Sequence, residues 1–123
     1  MGSMWMVGFG GALGAMARYA IGLIPVKGDF PVLTLLINVF GACLIGFIVG
    51  VSIQRQVDER WLLFWKTGIC GGFTTFSTFS LEALTLLQNG KTGWAAAYAV
   101  ASVLFCIGGV ALGRYLAFRL FEA

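Results

Sequence analysis

Cys70-Gly-Gly-Phe-Thr-Thr-Phe-Ser-Thr-Phe-Ser80 lies in the middle of a long apolar segment and has the wrong composition for an uninterrupted membrane helix. Gly71 and Gly72 carry no Cβ, which makes continued helix costly and other backbone angles accessible. Hydroxyls and rings then interleave through Thr74, Thr75, Phe76, Ser77, Thr78 and Phe79. Buried hydroxyls need hydrogen-bond partners, and lipid supplies none. The stretch therefore faces protein, water or a ligand.

The surroundings set the class. Hydrophobic residues make up 59% of the 123 and charged residues 11%. A soluble domain carries about 25% charged residues, so this surface does not mostly face water. The chain reads as a single all-α integral membrane domain over 1–123, in contact with the lipid bilayer. Its 18 glycines predict close helix packing, because small residues let backbones approach in lipid. A net charge of +3 with no basic run leaves no footprint for nucleic acid. Cys43, Cys70 and Cys106 are widely spaced within apolar runs and read as buried small hydrophobes. With no His and no paired Cys, a zinc or haem site has no ligands. Residues 1–3, Met-Gly-Ser, read as an expression scar, and no basic segment precedes the first apolar run as a cleavable signal requires.

Four spans are expected, over roughly 4–24, 32–53, 61–87 and 94–120. Each is long enough to cross a hydrocarbon core of ~30 Å at 1.5 Å per residue. Gly10, Gly14 and Gly22, with Gly11 and Ala15, give the first span a small-residue face. Arg18 interrupts that span, either snorkelling to the interface or lining a wet cavity. In the second span Asn38, with Thr34 one turn earlier, either clasps another helix or meets a permeant species. Cys70–Thr75 divides the third span, the pattern of a discontinuous helix whose ends offer carbonyls to cations and amides to anions. Phe76 and Phe79 then share a face, Ser77, Thr78 and Ser80 adjoin it, and Glu82 follows. In the fourth span Tyr98 and Ser102 lie four residues apart on one face.

Positive charge chooses an orientation only weakly. Arg55, Arg60, Lys66, Arg114 and Arg119 fall on one side, and Arg18, Lys27 and Lys91 on the other. Lys66 and Arg18 both sit deep in their spans. A chain inserting both ways could pair with itself antiparallel.

No catalytic constellation is present, so an enzyme is not expected. Polar residues inside spans usually mark a pathway, which favours transport. Amide and hydroxyl groups donate hydrogen bonds, and Phe ring edges are positive, so the inventory suits a small anion. A deep cation would hold an anion, whereas neutral donors let it leave.

Gly71-Gly72-Phe73-Thr74-Thr75-Phe76-Ser77-Thr78-Phe79-Ser80 resembles the signature of the Fluc (CrcB-type) bacterial fluoride channels. Gly11-Ala12-Leu13-Gly14 with Arg18-Tyr19, Leu36-Ile37-Asn38-Val39-Phe40-Gly41, Glu82 and Ala95-Ala96-Ala97-Tyr98 extend the match over nearly the whole chain. The resemblance implies an antiparallel, dual-topology homodimer with two fluoride pores at the subunit interface. It implies passive export of fluoride across the bacterial inner (plasma) membrane and resistance to fluoride. On that likeness Phe76 and Phe79 line the ion path, and Asn38 donates to fluoride. Ser77, Thr78, Tyr98, Ser102 and Thr34 are polar groups in or near the pore, and Arg18 stands near the vestibule. A structural sodium ion at the dimer centre would take the backbone carbonyls of Gly71 and Thr74. Phe73 departs from the pattern, in which a smaller aliphatic residue is expected.

Two other readings compete. A small drug–proton antiporter of similar size needs a carboxylate in its first span, where this chain has Arg18 instead. A non-transporting assembly subunit would use the same polar groups only to join helices.

Overall fold

The computed structural model describes residues 2–121, and among these every regular element is a helix. α1 spans Gly2–Gly22, α2 Val32–Gln54 and α3 Glu59–Leu62. α3 runs directly into a π-helical segment, Leu63–Cys70, and then into α4, Gly71–Phe73. α5 covers Phe76–Gln88 and α6 Thr92–Leu120. Four long helical passes result, the third of them broken. α2 and α6 are long and apolar enough to cross a membrane, with mean hydropathy 2.6 and 2.1. Their ends lie within about two residues of those expected, and α1 takes in Gly2 and Ser3 of the expected scar. Met1, Glu122 and Ala123 lie outside the described residues.

The break is narrower than the sequence suggests and has a different cause. Gly71 and Gly72 stay helical, and only Thr74 (φ −86°, ψ 156°) and Thr75 (φ −150°, ψ 120°) are extended. Both are β-branched, which favours extended backbone. Their hydroxyls bond locally on either side of the gap. Thr74 Oγ1 donates to the Cys70 carbonyl at 2.8 Å, closing the first half. Thr75 Oγ1 accepts from the Thr78 amide at 3.1 Å and caps the second. Gly72 serves packing instead, since a Cβ there would overlap the Gly11 carbonyl oxygen of α1.

The break also exchanges packing partners. The first half of the third pass lies along α1, and α5 lies against α6. α2 and α6 form the most extensive pair. Both seams are built on glycine. A Cβ at Gly14 would overlap the Ile69 carbonyl oxygen, and one at Gly113 would overlap that of Cys43. In lipid no hydrophobic force drives helices together, so this close approach supplies the packing attraction.

Two sets of contacts fix the ends of the bundle. At one end Lys91 pairs with Asp29, and the Phe30 and Trp94 rings stand 5.5 Å apart. At the other the Arg55 guanidinium lies over the Phe121 ring at 5.9 Å. The passes therefore run up and down. Tyr98 is the one large side chain fully buried among the described residues, in a cluster with Leu86 and Ala95. Large apolar side chains such as Phe9, Phe40, Leu104 and Phe105 are exposed over the outer surface. That surface suits lipid.

Candidate functional site

Asn38 reaches from α2 into the break and holds Thr75 by both backbone groups. Its Oδ1 accepts from the Thr75 amide at 2.8 Å, and its Nδ2 donates to the Thr75 carbonyl at 3.1 Å. An amide N–H can only donate and a carbonyl can only accept, so the pair of bonds fixes which way the Asn38 amide points. One Nδ2–H is committed to Thr75 and the other is left over.

Rerouting these amides releases carbonyls. In a continuous α-helix the Thr75 amide would bond to the Gly71 carbonyl, and the Thr78 amide to that of Thr74. Here they go to Asn38 Oδ1 and Thr75 Oγ1. Gly71 and Thr74 thus lose their helical donors. The Gly72 carbonyl, which would take the Phe76 amide, accepts from Arg18 Nε at 3.2 Å instead. Arg18 therefore stabilises the open end of the first half-helix, where carbonyls concentrate negative charge.

Beside the break runs a groove of about 480 Å³ between α2, the third pass and α6. Asn38, Gly71, Thr74, Thr75, Phe76, Phe79 and Ser102 line it near the break. Ile45, Val103, Cys106, Ile107, Val110 and Lys66 carry it away from there. No carboxylate is among the lining residues. Phe76 is 79% exposed, and its ring lies 5.4 Å from that of Phe79. Phe79 is held from behind by Tyr98, with ring centroids 4.8 Å apart. The Ser102 hydroxyl is buried without a partner among the described residues.

The other polar residues singled out from sequence lie apart from this groove. Ser77 is exposed, with Oγ 3.3 Å from Thr75 Oγ1. Thr78 accepts from Thr75 Oγ1 at 3.1 Å. Both belong to the cap of α5. Thr34 and Tyr98 converge on Glu82, donating to its two carboxyl oxygens at 3.0 and 2.9 Å. This clamp ties α5 to α2 and α6. Thr34 and Glu82 also line a second cavity of about 460 Å³ toward the Lys91–Asp29 end.

Thr75 was counted in the break from sequence but given no role in the site. It caps α5, receives Asn38 and borders the groove. Its signal was a hydroxyl residue three positions ahead of Thr78 at a helix start, the ordinary N-cap spacing.

A family model described as CrcB-like protein, Camphor Resistance (CrcB) matches residues 5–114. A fluoride-specific ion channel FluC of Ruminiclostridium cellulolyticum is 46% identical over 115 residues, covering 90% of this chain and 88% of its own. Another, of Granulibacter bethesdensis, is 43% identical over 120 residues and 94% of both chains. A third, of Pyrococcus abyssi, is 46% identical over 112 residues, 89% of this chain and 91% of its own. These relatives are named as channels and not as enzymes. Matched over nearly its whole length, the chain belongs to the CrcB-like family.

Proposed function

We propose that this chain is a passive, fluoride-selective channel of the bacterial inner membrane. It works as an antiparallel, dual-topology homodimer with two pores along the subunit interface. Export of cytoplasmic fluoride through them confers resistance. The observation that carries the reading is the placement of the Asn38 amide and the Phe76–Phe79 pair on one groove without a carboxylate, in a family whose relatives bear that name.

The groove's chemistry supports a small anion in transit. Asn38 offers its uncommitted N–H, and Ser102 offers a hydroxyl without a partner. Phe76 and Phe79 offer positive ring edges. Donors already oriented by the fold replace water around an anion without reorganising. Being neutral, they do not trap it. A groove open along one side of the protomer needs a second copy to close it, and the exposed Phe76 ring fits such a cover.

Gly71 and Thr74 fit a sodium ion at the dimer centre. Their carbonyls are hard oxygen donors released from helical bonding, on residues that line the groove. A bound sodium would supply positive charge to two open half-helices meeting across the two-fold axis.

Fluoride efflux from liposomes holding the purified chain tests the reading, with a fluoride electrode and a potassium ionophore to dissipate voltage. Fast fluoride efflux, negligible chloride efflux and loss of flux in Phe76→Ile are expected. Absence of fluoride efflux from verified dimers refutes it.

A further inference from the structure

Lys66 is the one charged residue on the groove, and its position follows from the π-helical segment. Where hydrogen bonds run i→i+5, residues four and five apart share a face, so Lys66 stands over Cys70 and Gly71. All three line the groove that holds Asn38, Phe76 and Ser102. Lys66 precedes Thr74 by eight residues, about two helical turns. Among the described residues no acid pairs with it, whereas Lys91 and Arg60 each have an acidic partner. Glu82 is turned away and held by Thr34 and Tyr98.

We propose that Lys66 is an anion-steering residue for this groove. Its ammonium draws the ion in at the end away from the break and passes it toward the neutral donors at Asn38 and Ser102. This rests on the reading of the groove as an anion path. Two observations independent of the lysine point to an anion in the same groove: the uncommitted Asn38 N–H and the buried, partnerless Ser102 hydroxyl. Without a carboxylate beside it, the lysine's field is not cancelled locally, and low-dielectric walls focus it along the groove. Two turns from the break, the charge raises anion concentration at the entry without gripping the ion at the narrow donors. A snorkelling lysine would serve lipid alone and leave transport unchanged.

The test is single-channel fluoride current in planar bilayers from the full chain, Lys66→Gln and Lys66→Arg. Each is recorded at about 10 mM and about 1 M of a salt with a bulky impermeant anion, where screening lengths are roughly 30 and 3 Å. At low salt Lys66→Gln should lower the current on the order of threefold to tenfold, and Lys66→Arg should keep it. At high salt the gap should close. Equal currents for Lys66→Gln and the unaltered chain at both salt levels overturn steering and leave snorkelling. Should Lys66→Gln fail to assemble, the unaltered chain still decides, because a fluoride current indifferent to inert salt also overturns the proposal. No fluoride current from the unaltered chain removes the channel reading itself, a different failure from salt-independent current.

Discussion

Asn38 holds both backbone polar groups of Thr75, accepting at 2.8 Å and donating at 3.1 Å. One amide, on a residue that lines the groove, thus keeps the helix open and retains a second N–H. Truncation removes both roles together. Asn38→Ala leaves the Thr75 amide and carbonyl without partners in a part-buried site, at about 2–4 kcal/mol for the two. Thermal unfolding in detergent should show the loss, and fluoride efflux should fall at least on the order of a hundredfold. Asn38→Asp keeps the acceptor for the Thr75 amide but sets its second carboxylate oxygen against the Thr75 carbonyl, where Nδ2 donated, and adds negative charge to the groove. It should regain no stability over Asn38→Ala and transport no better. Equal flux with the native chain would assign Asn38 to structure alone.

Phe76 and Phe79 should separate flux from stability. Phe76 is 79% exposed in the protomer, so Phe76→Ile should move protomer stability by less than ~0.5 kcal/mol. It should abolish efflux nevertheless. Phe79 packs on the buried Tyr98 and joins the Leu86–Ala95 cluster. Phe79→Ala should therefore cost about 2–3 kcal/mol, less than a fully buried ring. Denaturant titration beside the flux assay reads both quantities.

A pair of glycines makes a sharper contrast. Gly14→Ala drives a methyl into the Ile69 carbonyl and within 2.8 Å of the Phe73 amide nitrogen. Loss of folded protein on size-exclusion chromatography is expected. Gly71 has helical angles and open space where its Cβ would stand. Gly71→Ala should fold, and gain up to about 1 kcal/mol from helix propensity. A Gly14→Ala protein as stable as the parent would break the backbone-contact account of the seam.

Sodium gives a prediction without mutation. If the Gly71 and Thr74 carbonyls hold it, exchanging sodium for N-methylglucamine throughout purification should lower the unfolding temperature and slow fluoride efflux. Stability rises with ligand as RT ln(1 + [L]/Kd), so the unfolding temperature should climb steadily as sodium is returned. A temperature indifferent to sodium would remove the ion from the account.

Composition made the membrane class and the all-helical fold legible, because lipid imposes length and apolarity on a span, as α2 and α6 show. The break was legible over Cys70–Thr75, but it was credited to Gly71 and Gly72, whereas the extended residues are Thr74 and Thr75. Gly72 looked like a breaker because its lack of a Cβ was read locally. Its reason is the α1 backbone pressed against it, which no local pattern announces. Asn38 was left open between clasp and donor. The structure shows the clasp, made by a residue that also lines the groove. Arg18 was weighed between lipid interface and wet cavity, and its partner is a carbonyl 54 residues onward. The π register that turns Lys66 toward Cys70 and Gly71 has no signature in hydropathy, since an apolar run reads the same at either helical pitch.

Where Gly14 meets Ile69 and Gly113 meets Cys43, main chain touches main chain. A wall of side chains can yield, because rotamers exchange and a methyl group swings aside. Peptide planes in contact have no such freedom. The protomer's share of the frame around the groove is therefore stiff at its joints. Any discrimination by ion size then belongs as much to these joints as to the residues an ion would touch.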